Sequence, residues 1–231
     1  RVTNECEELI KNGHEVYLFC LSYQKNYIKS ETINNIKVRR YYCSSLTYKL
    51  SALANDFPLY SILMKSKIKD FVLNNKIDRM HIHDIQIAKA AVGVCNKYKL
   101  KYTLDLHENR HEIMKSYKHV NSFLGKLLIS IKRWKKAEEE YISKAEKVIV
   151  VTHQAKKEII KRCKISNDNV IVYPNTVRKS FYQNKKYDEK LKKKYAKNYV
   201  LLYIGNTSKR RGLDTVLDSM ISVANEVPEI K

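Results

Sequence analysis

Short apolar runs alternate along this chain with longer stretches whose apolar residues recur three and four apart, which predicts strands and helices taking turns. Asn4 to Lys11 reads as a helix stopped by Asn12-Gly13, and Val16 to Cys20 as a strand. Ile36 to Tyr42 is a second strand, alternating enough to sit near a sheet edge. Tyr60 to Leu73 carries Ile62, Leu63, Ile68, Phe71 and Val72 at helical spacing. The rhythm then sharpens: strand Arg79 to His83, helix Ile85 to Tyr98, strand Tyr102 to Leu106, a polar stretch, and one long helix from Ser122 to Lys144. Strand Lys147 to Thr152, helix Gln154 to Cys163 and strand Val170 to Tyr173 close the series. Apolar strands separated by helices predict an α/β class with a parallel sheet covered on both faces, and right-handed crossovers make it Rossmann-like.

From Pro174 the pattern breaks into Asn, Lys and Tyr, which marks a linker. Residues 1–174 are therefore read as one domain, 175–198 as linker and crossover, and 199–231 as the beginning of a second Rossmann-like domain. Within the linker, Glu189 to Lys197 is a strongly basic helix. The last piece holds a strand at Val200 to Ile204, a Gly-containing loop, and a helix from Gly212 to Val223.

Composition changes this picture in one respect. Lys and Arg number 45 against 24 Asp and Glu, a formal net charge of +21. One reading is a polyanionic partner, whether nucleic acid, phosphorylated substrate or an anionic membrane face; the other is compositional bias, since Lys, Asn, Ile and Tyr are all abundant. Anionic lipid attracts each nearby Lys or Arg by about 1 kcal/mol, so peripheral contact with such a membrane is one partner expectation. The five cysteines are scattered with no CxxC pair, which suits reduced thiols in a cytoplasmic protein. The apolar runs are too short to span a bilayer. Arg1 opens the chain inside a predicted helix, without an initiating Met.

Three groups of residues could carry chemistry. In the loop Gly205-Asn206-Thr207-Ser208-Lys209-Arg210-Arg211-Gly212, a glycine follows a strand and three cations precede a helix N-terminus. That is how a diphosphate site is built, and a solvent-exposed basic turn is the plain alternative. His81, His83, Asp84, His107, Glu108, His111 and Glu112 form the second group. The pairs His83-Asp84 and His107-Glu108 close predicted strands, where open α/β sheets bind ligands. His107 to His111 satisfies H-E-x-x-H literally, but that zinc motif works on a helix and His107 closes a strand. The third is the predicted helix Ser122 to Lys144, with Phe123, Leu127, Ile131 and Trp134 along one side and lysines elsewhere. It either packs on its own sheet or lies on a membrane surface.

With these residues in view, the chain resembles glycosyltransferase family 4, enzymes of the GT-B fold. Asn12-Gly13-His14-Glu15-Val16 is similar to the end of the family's first helix. His81-Ile82-His83-Asp84 and Asp105-Leu106-His107-Glu108 are similar to its paired strand ends. Val148 to Thr152, Val172-Tyr173-Pro174-Asn175 and the stretch Leu202 to Asp214 follow in the family's order.

The resemblance implies a retaining sugar transfer from a nucleotide-diphosphate donor to a glycan or lipid-linked acceptor in bacterial surface polysaccharide synthesis, with no metal or other cofactor and no nucleic-acid partner. It places the acceptor cleft at His83 and Asp84 in the N-terminal domain. His107 and Glu108 become the catalytic positions, orienting sugar or acceptor hydroxyls. Gly205, Asn206, Lys209, Arg210, Arg211 and Gly212 become the donor-phosphate loop; the family usually has Arg where Asn206 stands. It also implies that the family's initial strand and Gly-rich loop would precede Arg1 and its glutamate pair would follow Lys231. The 231 residues by themselves are then expected to be inactive. A sugar-nucleotide 2-epimerase of the same fold and a basic nucleic-acid-binding protein are the rival readings.

Overall fold

The structure, a computed structural model, describes residues 1–177, 179–183 and 187–230. It divides into two compact units, Arg1–Thr176 and Val177–Lys231. In the first, α1 (Val2–Lys11) leads into β1 (Tyr17–Ser22), β2 (Ser30–Ile33) and β3 (Ile36–Tyr42). Then come α2 (Ser45–Leu50), α3 (Pro58–Asn74), β4 (Arg79–His83), α4 (Ile85–Tyr98) and β5 (Lys101–Leu106). Four helices follow, α5 (Arg110–Met114), α6 (Lys118–Asn121), α7 (Phe123–Leu128) and α8 (Ile131–Lys144). The unit ends with β6 (Lys147–Val150), α9 (His153–Cys163) and β7 (Val170–Val172).

Strands β4, β5, β6 and β7 pair in that order, all parallel, as the block alternation predicts. The core lies on this sheet: Leu104, Val148 and Val150 of its strands meet Ala88 and Val94 of α4, Met64 and Ile68 of α3, and Trp134 and Ile142 of α8, all buried. A second, three-stranded sheet runs β1-β3-β2, with β1 and β3 parallel. Here the edge assignment is corrected, because β3 is the middle strand. Asn34 and Asn35 both take positive φ (48° and 64°) and join Ile33 to Ile36 as a two-residue hairpin, which adds β2 antiparallel outside β3.

A cavity of about 570 Å³ lies between β1 and β4, lined by Leu18 and Phe19 on one side, Met80 and Ile82 on the other, and Cys6 and Leu9 of α1.

The single helix expected from Ser122 to Lys144 is two. Ile129 and Ser130 are extended, the Ser122 hydroxyl accepts from Gly125 N, and the Ser130 hydroxyl accepts from Arg133 N. Each serine starts a helix of its own by satisfying a free N–H.

The second unit holds α10 (Lys179–Gln183), α11 (Glu189–Lys194) and α12 (Leu213–Glu226). Within the expected linker, Arg178 and residues 184–186 lie outside the described residues, as does Lys231 at the chain end. The strand expected at Val200 to Ile204 is not formed. Those residues run without regular structure, and only Tyr199 makes a bridge, to Ile230, with its N–H donating to the Glu229 carbonyl at 3.0 Å. A strand needs a partner along its length, and this unit offers none among the described residues.

Candidate active site

Asp105 is the centre of the site, and the sequence hid it inside an apolar strand. Side chains alternate across a strand, so Leu104 and Leu106 enter the core while Asp105 faces the opposite layer beneath α1. There it is fully buried. A carboxylate without water must find donors, and it has several. Arg1 Nη2 and Nε donate to its two oxygens at 2.7 and 3.1 Å, and His107 Nε2 donates at 3.0 Å. His83 Nδ1 stands 3.2 Å from the same carboxylate and 3.1 Å from His107 Nε2. Burial by itself would push the Asp105 carboxyl up; the hydrogen bonds from His107 and Arg1, with the His81 and His83 rings close by, outweigh it and hold the group well below the usual carboxylate range. In return, the hydrogen bond to Asp105 raises His107 above an ordinary imidazole, against the opposing effect of burial.

His81 and His83 lie two apart on β4 and so share a face, their rings stacked 4.5 Å apart. Glu5 of α1 reaches them from above, 3.8 Å from His81 and 3.6 Å from His83, and pairs with Arg1 at 3.0 Å. Glu5, His81, His83 and Asp105 each bring a ligand atom within 4.8 Å of one another, a donor set that could hold a divalent cation. The Arg1 guanidinium already supplies positive charge at both carboxylates. Arg1 also donates to the Tyr173 carbonyl at 2.7 Å and to Asn175 Oδ1 at 2.9 Å, which ties α1 to the segment after β7.

Asp84 follows directly on β4 and caps α4 with φ 68° and ψ 144°, a region that only glycine enters freely. The half-exposed carboxylate lies 3.8 Å from His107 Nδ1. His107, Arg1, Tyr173 and Asn175 line an open pocket of about 280 Å³ at the C-terminal ends of the parallel strands.

The fold therefore brings His83, Asp84 and His107 together, and adds Asp105, Arg1 and Glu5. Glu108 goes elsewhere: its carboxylate pairs with Arg110 at 2.6 Å, and that guanidinium lies over the Tyr117 ring. His111 turns into the core, 3.6 Å from Glu138, which binds Arg162. The two histidines of the HENRH stretch thus point to different places, as their context predicts. Glu112 is held by Lys115 at the surface. The signal for the missed residues was available, since a carboxylate in an otherwise apolar strand requires cations nearby.

The glycine loop belongs to the second unit. Gly212 takes φ 68° and begins α12, and a short 3-10 turn over Lys209–Arg211 precedes it. The Asn206 side chain accepts from Ser208 N at 2.7 Å, and the Tyr203 hydroxyl donates to the Asn206 carbonyl. Gly205 packs on that ring, since a Cβ there would stand 2.8 Å from the hydroxyl. The side chain of Arg210 lies outside the described residues.

The profile of Glycosyltransferase Family 4 matches residues 1–181. Among solved structures, sucrose-phosphate synthase from Thermosynechococcus elongatus is similar, with TM-score 0.69 and 14% identity over 96% of this chain and 53% of its own. A structure described as trehalose-6-phosphate from E. coli bound with UDP-2-fluoro glucose has TM-score 0.68 and 12% identity over 99% of this chain and 59% of its own. Trehalose-6-phosphate synthase OtsA has TM-score 0.65 and 12% identity over 100% and 58%. The chain thus spans between half and three-fifths of the length of these structures, and at such identity the likeness speaks for the GT-B fold. No curated protein sequence matches the chain. The profile match over most of its length, on a fold of that type, places the chain in glycosyltransferase family 4.

Proposed function

We propose that this chain is part of an enzyme that moves a sugar from a nucleotide-diphosphate donor to a glycan or lipid-linked acceptor, with retention, in bacterial surface polysaccharide synthesis. The observation that carries the reading is His107. It is fixed by the buried Asp105 and opens on a polar pocket at the strand ends, in a chain of this family. In this reading the first unit receives the acceptor at His83 and Asp84, while His107 holds a hydroxyl of the transferred sugar. Its Nε2 is committed to Asp105, so Nδ1 is the atom left for a ligand or for Asp84. Glu108 is the second residue proposed to orient sugar or acceptor hydroxyls, a role that requires its carboxylate to leave Arg110.

The second unit begins the nucleotide-sugar domain. Gly205, Asn206, Lys209, Arg210, Arg211 and Gly212 meet the diphosphate. The N-terminal N–H groups of α12 and the cations stabilise the leaving group as its negative charge grows. Transfer by this route needs no metal and no further cofactor. The enzyme works in the cytoplasm, and nucleic acid is no partner.

The test expresses the complete reading frame that contains these residues and supplies labelled nucleotide sugars with a glycolipid extract. The expected result is acceptor-dependent transfer with the donor's anomeric configuration kept, and a loss of about 100-fold or more in kcat for His107→Ala. Conversion of the sugar nucleotide to its epimer with no acceptor would replace the reading by the epimerase. Binding to arbitrary DNA that collapses steeply with salt would replace it by the nucleic-acid reading.

A further inference from the structure

A short helix on the first unit carries its apolar side chains outward. In α7, Phe123, Leu124 and Leu127 are 86%, 64% and 74% exposed, and Gly125 is its buried residue. The helix is firmly seated. A Cβ on Gly125 would stand 1.9 Å from the His119 carbonyl oxygen, so its backbone lies directly against α6, and Ser122 caps its first turn. The outward apolar face is a feature of a fixed element.

The start of α3 is tied to the end of this segment. Asp56, two residues before α3, accepts from Ser130 N at 3.0 Å and from Trp134 Nε1 at 2.8 Å, which fastens the α7–α8 junction to the start of α3. The first turns of α3 expose Leu59 and Ile62 in their turn. Trp134 itself is buried, so the membrane alternative raised by the sequence for the long helix falls away for α8 and passes to α7.

We propose that the exposed face of α7 docks on an anionic lipid bilayer. Charge selects this occupant. From Lys115 to Lys136 the chain carries seven Lys or Arg and no Asp or Glu. Lys118, Lys126 and Lys132 in that stretch are exposed. An apolar centre with a cationic surround matches the boundary between acyl chains and anionic headgroups, where each part has its complement. A second copy of the same face would oppose like charges, and nucleic acid offers nothing to three bare apolar side chains. The inference does not rest on the transferase reading.

The experiment is co-sedimentation with vesicles of phosphatidylcholine alone or with a third phosphatidylglycerol, using wild type, the double variant Phe123→Ser/Leu127→Ser, and Lys118→Glu/Lys126→Glu. All positions are exposed, and unchanged urea midpoints and Trp134 emission show that the variants fold. Wild type is expected to bind anionic vesicles, with binding to neutral ones weaker by about tenfold or more, and each variant is expected to lose about tenfold on anionic vesicles. The proposal is overturned if wild type does not sediment, or if the serine variant binds as wild type does, which would mean diffuse basic adsorption. It is equally overturned if the serine substitutions abolish a concentration-dependent dimer while leaving vesicle binding intact, which would make the face a contact between copies.

Discussion

Replacing Asp105 with Asn keeps the shape of the side chain and removes the charge around which the site is arranged. In the native protein the fully buried carboxylate receives two hydrogen bonds from Arg1 and one from His107, with His83 beside it. Removing one partner of a buried ion pair costs roughly 3–5 kcal/mol, because the remaining charge stays behind without compensation. Arg1 keeps its hydrogen bonds to the Tyr173 carbonyl and Asn175, which argues for the lower end, about 3 kcal/mol. At an m-value of about 2 kcal/mol/M this lowers the urea midpoint of the first unit by roughly 1.5 M.

The pH dependence carries the sharper content. The Asp105 pKa is depressed in the folded state, so its contribution is present above the unfolded carboxylate value near ~4 and is lost as pH falls below it. The His107 pKa is raised, so its contribution is full below ~6.5 and fades as pH rises through the folded value. The difference in midpoint between wild type and Asp105→Asn should therefore be largest between pH ~4 and ~6.5 and shrink on both sides. Urea titrations followed by Trp134 fluorescence, at pH 3, 5.5 and 9 with chelator present, measure it. A difference that stays constant across the range, or grows toward pH 9, refutes the coupled Asp105–His107 pair.

Asp84→Gly should relieve the backbone at φ 68° and raise stability by about 1 kcal/mol in urea unfolding, because ~1–3 kcal/mol of strain exceeds glycine's extra unfolded-state entropy. The same change should lower transferase turnover, since it deletes the carboxylate beside His107; stability and activity moving down together would contradict the strain argument. Trp134→Phe removes the indole donor to the buried Asp56 carboxylate and should cost about 2 kcal/mol, read as a shift in urea midpoint. Cys95 is buried and its thiol is pushed up to about 11 by desolvation, so maleimide labelling at pH 7.5 should leave it unmodified until urea unfolds the first unit.

Along the chain, local periodicity determined β4, α4, β5, β6, α9 and β7 in kind and order. Ile82, Leu104, Val148, Val150 and Val170 of those strands are buried and α4 and α8 bury an apolar stripe on them, so hydrophobicity reports the layer. The same reasoning placed His83, Asp84 and His107 at strand ends, because position in a strand–helix unit dictates which edge a residue reaches. What needed the tertiary structure was every feature that depends on a partner distant in sequence. That Ile36–Tyr42 is a middle strand followed from the hairpin at Asn34-Asn35, and those residues could have been read as a turn. That Val200–Ile204 forms no strand follows from the lack of pairing, which an apolar run cannot announce. Ser122 and Ser130 divided one amphipathic stretch into two helices with opposite fates, Trp134 inside and Phe123 outside. A carboxylate in an apolar strand announces that cations must lie near it, but Asp105 meets Arg1 across 104 residues, and only the fold discloses that partner. Hydrophobic periodicity is local and survives in one dimension; charge compensation and strand pairing are agreements between distant segments, and folding alone brings those segments together.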